Sequence, residues 1–201
     1  PEAVLKGTTT DGGAIVGANA ILPVQWGLPS SIDPNALVYD LHSGNANIGQ
    51  PDPLVWAQGH DAPVSGATDT GLPLEQAIVV PNQPGWASVE GARWVSSKRS
   101  GNDVPGGYEY FVPFALPPGF KSAHLDILWR GDDQAALYVN DRRLPAPWGF
   151  FGASSPPGEF HGEIMPYLQP GMNQLQFLVS NAYVGVNPTG VSFWALITLS
   201  P

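Results

Sequence analysis

The chain has 201 residues, enough for one large domain or one domain with an extension, and carries a net charge of −9. Eight basic against 17 acidic side chains, with no basic stripe, argue against nucleic acid as a direct partner. No apolar run reaches the ~18 residues of a membrane-spanning helix, and the absence of Cys excludes disulfides and thiolate metal sites.

Gly (24) and Pro (22) are abundant, which in a polar chain would signal disorder. Seven Trp, six Tyr and eight Phe point instead to a turn-rich β domain with a core. Only 12% of residues are charged, as expected of a surface partly covered by partners. The charge is uneven: residues 1–92 hold one Lys against nine acids, and residues 93–201 hold seven basic residues against eight acids. Pro1 favours a chain made without a cleaved signal.

Residues 1–43 read as an N-terminal arm. Thr8-Thr9-Thr10-Asp11-Gly12-Gly13 is a turn signal, followed by a small-residue apolar run from Ala14 to Leu22. Within that run Ala14, Ile15, Val16, Ile21 and Leu22 are the candidate assembly residues. They form either a strand closing the edge of the domain or an arm pairing with another subunit by strand addition. Residues 36–92 read as loop-dominated, with short strands over Ala36–Leu41 and Gln76–Val80, because their Gly and Pro spacing permits no helix.

From Tyr108 the alternation sharpens. Tyr108, Tyr110, Val112, Phe114 and Leu116 share one face of a strand in which Pro113 marks an edge or a bulge. Leu125, Ile127 and Trp129 line the next strand. Gly131-Asp132-Asp133 turns the chain back into a strand carrying Leu137 and Val139. An aromatic loop follows over Pro145–Gly158. Leu175, Phe177 and Val179 alternate in another strand, and Val191, Phe193, Ala195, Ile197 and Leu199 in the last. The pattern predicts an all-β fold: an antiparallel β-sandwich of jelly-roll type over residues 44–201, preceded by the extended arm.

Several strings, in order, resemble a galactose-binding-like jelly-roll module of bacterial secreted and surface proteins. They include Asp52-Pro53…Trp56, Pro84-Gly85-Trp86, Gly91-Ala92-Arg93-Trp94-Val95-Ser96, Asp132-Asp133-Gln134, Leu137-Tyr138-Val139-Asn140, Leu168-Gln169-Pro170-Gly171-Met172-Asn173 and Asn187-Pro188-Thr189-Gly190. The likeness covers about residues 44–199 and departs at Asp133 and Asn140-Asp141. It implies a relation to sugar-binding domains appended to glycosidases, some of which bind structural calcium.

No metalloprotease, nucleophile-elbow, P-loop or dinucleotide motif is present, and His42, His60, His124 and His161 share no ligand spacing. Asp132 and Asp133 read as turn formers before they read as an acid–base pair. No cofactor is expected. A structural calcium is the exception to weigh, with Asn45, Asn47, Asp52, Asp132, Asp133 and Asp141 as oxygen donors and no EF-hand pattern. The binding residues predicted for a carbohydrate or a partner are Trp148, Phe150, Phe151, Arg142, Arg143 and Asp132. The resulting expectation is a non-enzymatic subunit or decoration protein on a virion or an extracellular, cell-surface structure. It would form a homo-oligomer or join a larger assembly of protein subunits. A secreted carbohydrate-binding module is the second reading and a glycan-active enzyme the third.

Overall fold

The stretches that alternate from Tyr108 onward are strands in the computed structural model, which describes residues 6–8, 14–16, 36–60, 74–182 and 184–201. In chain order the first strands are β1 (Lys6–Thr8), β2 (Ala14–Val16), β3 (Leu37–His42), β4 (Pro51–His60) and β5 (Glu75–Val79). Then come β6 (Val95–Ser96), β7 (Asn102–Asp103), β8 (Gly106–Leu116), β9 (Ser122–Asp132) and β10 (Gln134–Val139). The last are β11 (Arg142–Arg143), β12 (Gly149–Phe150), β13 (Gly158–Glu163), β14 (Gly171–Asn181), β15 (Asn187–Pro188) and β16 (Gly190–Ser200). Among the described residues one 3-10 turn spans Met165–Tyr167.

The all-β expectation holds, but the open antiparallel sandwich does not. The hydrogen-bonded path runs β9-β12-β10-β14-β8-β4-β5-β6-β16, and β16 pairs back onto β9 from Gly190↔Asp132 to Ser200↔Ser122. Nine strands therefore close into a barrel. The closure depends on two-residue strands. β12 bridges β9 and β10, and β6 bridges β5 and β16. Closing the path satisfies backbone groups that an open sheet would leave unpaired along its edges. β13 and β3 hang outside the ring, on β9 and β16 respectively. β3 lies inside residues 1–43, the span read as an arm, yet it belongs to this sheet. Ala14, Ile15 and Val16 form β2, which pairs with β1 as a hairpin, whereas Ile21 and Leu22 lie outside the described residues.

β4 is the second correction. It occupies ten residues of the stretch read as loop. Its Pro51 and Pro53 stand at its start, where pairing with β5 breaks: Pro51 faces Ile78 and Trp56 faces Gln76, an irregular register. The strand is regular only from Trp56 to His60, against Phe111 to Gly107 of β8.

The barrel is filled by the inward residues of the alternating strands. Tyr110, Val112, Leu125, Trp129, Phe177, Phe193 and Ile197 are fully buried or nearly so. The Phe177 and Phe193 rings meet at 4.7 Å across the interior. Trp129 donates its indole N–H to the Ala135 carbonyl at 2.9 Å. Its ring lies so close to Gly149 and Gly158 that an added Cβ would sit 2.6 and 2.3 Å from ring atoms, so both positions need the missing side chain.

Candidate functional site

Inward alternation dictates what points outward. Because Ala57, Tyr110, Phe177 and Leu137 face the core, their neighbours Trp56, Phe111, Gln176 and Tyr138 face out. Register aligns these four: Trp56 pairs with Phe111, Phe111 with Gln176, and Gln176 with Tyr138. Tyr138 pairs in turn with Arg143 of β11. The row crosses five strands, roughly 19 Å at ~4.8 Å per spacing.

One end of the row is a groove. β4 stops pairing with β8 at Phe111, so the outer face of β8 beyond that point is open on one side, where Pro113 has no N–H to offer β4 in any case. The opening is about 330 Å³, lined by Trp56, Gln58, Leu74, Phe111, Pro113 and Gln174. Trp56 is 37% exposed. None of the six side chains is ionisable. Further along the row Gln176 is 6% exposed, and its amide donates to Glu109 at 2.8 Å. Its Oε1 is buried without a hydrogen-bond partner.

The residues predicted to bind are dispersed rather than gathered. The Arg143 guanidinium covers the Trp148 ring at 5.0 Å, so that indole is not an open platform. Arg142 stacks on Tyr167 and donates to the Pro166 carbonyl at 2.6 Å. Phe150 is exposed on β12, whereas Phe151 packs against the satellite core of Val80, Trp86 and Trp94. Asp132 is 5% exposed and accepts the indole N–H of Trp86 at 2.5 Å; the Trp86 ring stacks on Trp94 with centroids 4.0 Å apart. Burial, and then its neighbour Asp133, push its carboxyl up to about 7, against the hydrogen bond from Trp86, which favours the charged form. Asp133 accepts the Ala182 N–H at 2.7 Å.

Asp52 spends its carboxylate on four backbone amides: Gly44 (2.6 Å), Asn45 (3.1 Å), Leu54 (2.8 Å) and Val55 (3.2 Å). It pins the chain between β3 and β4 in place. Among the described residues no group of three or more His, Asp or Glu side chains has metal-holding geometry. His161 instead lies between Asp126 (2.8 Å) and Glu159 (2.5 Å), and the Asp126 hydrogen bond holds its imidazole above the usual range.

No family model matches the chain. No curated protein matches it either. Among solved structures, three chains match. One is a beta-glucuronidase from an uncultured Clostridium sp., 14% identical, with a TM-score of 0.46 over 90% of this chain. This chain spans only 31% of that protein. A match this remote assigns no activity, and what stands of the galactose-binding-like resemblance is the all-β character.

Trp56 and Phe111 were missed as site residues for a definable reason. Phe111 is in the sequence pattern, opposite the buried face of its strand. Trp56 is obscured because its strand opens with two prolines and contains Gly59, a loop-like composition.

Proposed function

We propose that this chain is a non-enzymatic structural module that joins a larger protein assembly, such as a virion or an extracellular filament, by strand addition. The observation that carries the reading is the contrast between the two strands outside the ring. Among the described residues β13 pairs only with β9, and β3 only with β16. β13 presents Glu159, His161 and Glu163, charges of the kind that blunt an edge against unwanted pairing. β3 reads Leu37-Val38-Tyr39-Asp40-Leu41-His42, and Val38 is 36% exposed. Asp40 and His42 interrupt it, but four of its six residues are apolar, and such an edge, unpaired on its far side among the described residues, is the template on which a partner strand adds main-chain hydrogen bonds.

The test is sedimentation of the full chain, of Val38→Lys, and of a form lacking residues 1–35. The full chain is expected to form a defined oligomer or to co-sediment with a larger particle. Val38→Lys should weaken that association at least tenfold while the β-sheet spectrum stays unchanged. The truncated form separates a contribution of the arm from that of the edge. A full chain that stays monomeric at high concentration and sediments with no particle overturns the reading, as does a Val38→Lys variant that assembles like the unsubstituted chain.

A further inference from the structure

We propose that β13 is held on the sheet by a proton-dependent latch centred on His161, which loosens the strand and bares the edge of β9 when the imidazole loses its charge. The latch does not depend on assembly at β3 and lies on a different strand.

Little else anchors β13. Among the described residues it is an edge strand paired with β9 alone. Its Gly158, Phe160 and Gly162 stand opposite the buried Trp129, Ile127 and Leu125, so Phe160 is the one apolar side chain that the strand gives to the core. Its other three residues, Glu159, His161 and Glu163, are exposed and ionisable. Main-chain bonds and this charged row therefore carry most of the attachment.

The row requires a cation at its centre. His161 Nδ1 lies 2.8 Å from Asp126 Oδ1, across the strand pair, and its Nε2 lies 2.5 Å from Glu159 Oε1. A neutral imidazole carries one N–H, and only the imidazolium donates from both nitrogens. Loss of the proton turns one nitrogen lone pair toward a carboxylate oxygen. Either the cross-strand bond to Asp126 opens, or Glu159 is left uncompensated beside Asp126.

No neighbouring group replaces that cation. His124 Nε2 is 3.4 Å from the same Asp126 oxygen, within β9, and does not reach β13's Glu159. Glu163, opposite His124, accepts the backbone N–H groups of Ala123 and Met165 at 2.8 and 2.9 Å. Arg130, further along the outer face of β9, is spent on the carbonyls of Phe150, Gly152 and Ser155. On the other side of β9, β16 sets the uncharged Trp194, Leu196 and Thr198 opposite Leu128, Asp126 and His124. The 3-10 turn brings Tyr167, covered by Arg142, and β12 brings no ionisable side chain. The Asp126 hydrogen bond holds the His161 imidazole above its ordinary 6.5. The latch is therefore complete below pH 6.5 and is lost as pH rises through the raised value.

The test is amide hydrogen exchange by NMR on the full chain, His161→Gln and His161→Arg at about pH 5.5 and 8.5, with rates corrected for intrinsic exchange. In the unsubstituted chain, amides bonded between β13 and β9 should lose protection about two- to fivefold at the higher pH, the range for a half-exposed ionic contact. The reference is the set of amides bonded between β9 and β16 in the same sample, which removes any global change in stability. His161→Gln, neutral throughout, should be loose at both pH values. His161→Arg, charged throughout and able to fork between two carboxylates, should be protected at both. Circular dichroism of each variant checks the fold. Equal protection of the unsubstituted chain at both pH values overturns the inference. So does a pH step that survives in either variant, or a His161→Arg strand as loose as that of His161→Gln.

Discussion

Replacing Asp132 by Asn should remove a pH dependence of stability that the fold imposes on this protein. The native carboxyl is raised from 3.8 to about 7, chiefly by burial, at the N–H edge of the Trp86 indole. Below pH 3.8 the proton is held in both native and unfolded states, and the penalty is absent. Between pH 3.8 and about 7 the unfolded chain releases it while the native protein keeps it, so stability falls as pH rises. Above about 7 both states are ionised and the loss is complete. Three pH units at 1.36 kcal/mol each give a loss of about 4 kcal/mol across the window. At ~2–4 °C per kcal/mol for a chain of this size, the melting temperature should drop by about 10 °C between pH 4 and pH 7.5 on this account alone. Asn copies the neutral acid in shape and keeps an acceptor for the Trp86 indole N–H, so Asp132→Asn should lack this slope. The assay is thermal melting of both proteins from pH 3.5 to 8, with the difference between them as the readout. The difference is needed because Asp40, raised by burial, and His161, raised by Asp126, also lose stability as pH rises. Parallel curves for the two proteins would refute the reasoning.

Two further substitutions test the packing. Gly158→Ala places a Cβ 2.3 Å from the Trp129 ring, inside the barrel wall, and should cost at least ~2 kcal/mol in urea unfolding; a neutral result would mean that Trp129 moves freely. Asp52→Ala strands four backbone N–H groups, those of Gly44 and Val55 buried, and should cost about 2–4 kcal/mol. Asp52→Asn keeps one of the two acceptor oxygens and should cost roughly half as much. Equal stability of these two variants in urea would contradict the shared-carboxylate account.

The inward faces of the long strands from β8 onward were legible in the sequence, although the barrel they close was not. Tyr110, Val112, Leu125, Trp129, Phe177 and Phe193 are inward because period-2 alternation is a local consequence of the extended backbone. Trp148, Phe150 and Phe151 were legible as an aromatic cluster in the chain but not as a site. One is capped by Arg143, one is exposed, and one packs on a satellite core, since a loop's side-chain directions are set by what it lands on.

The sequence alone determined that this is an all-β protein and which face of β8, β9, β14 and β16 is buried, because both follow from residue types two positions apart. The tertiary structure decided the rest. Closure of the ring depends on Val95–Ser96 and Gly149–Phe150, two-residue strands too short to show any period. The outer row of Trp56, Phe111, Gln176 and Tyr138 brings together four strands distant in the chain. Its existence depends on register, and a slip of one residue in any pairing would turn that strand's member of the row into the core.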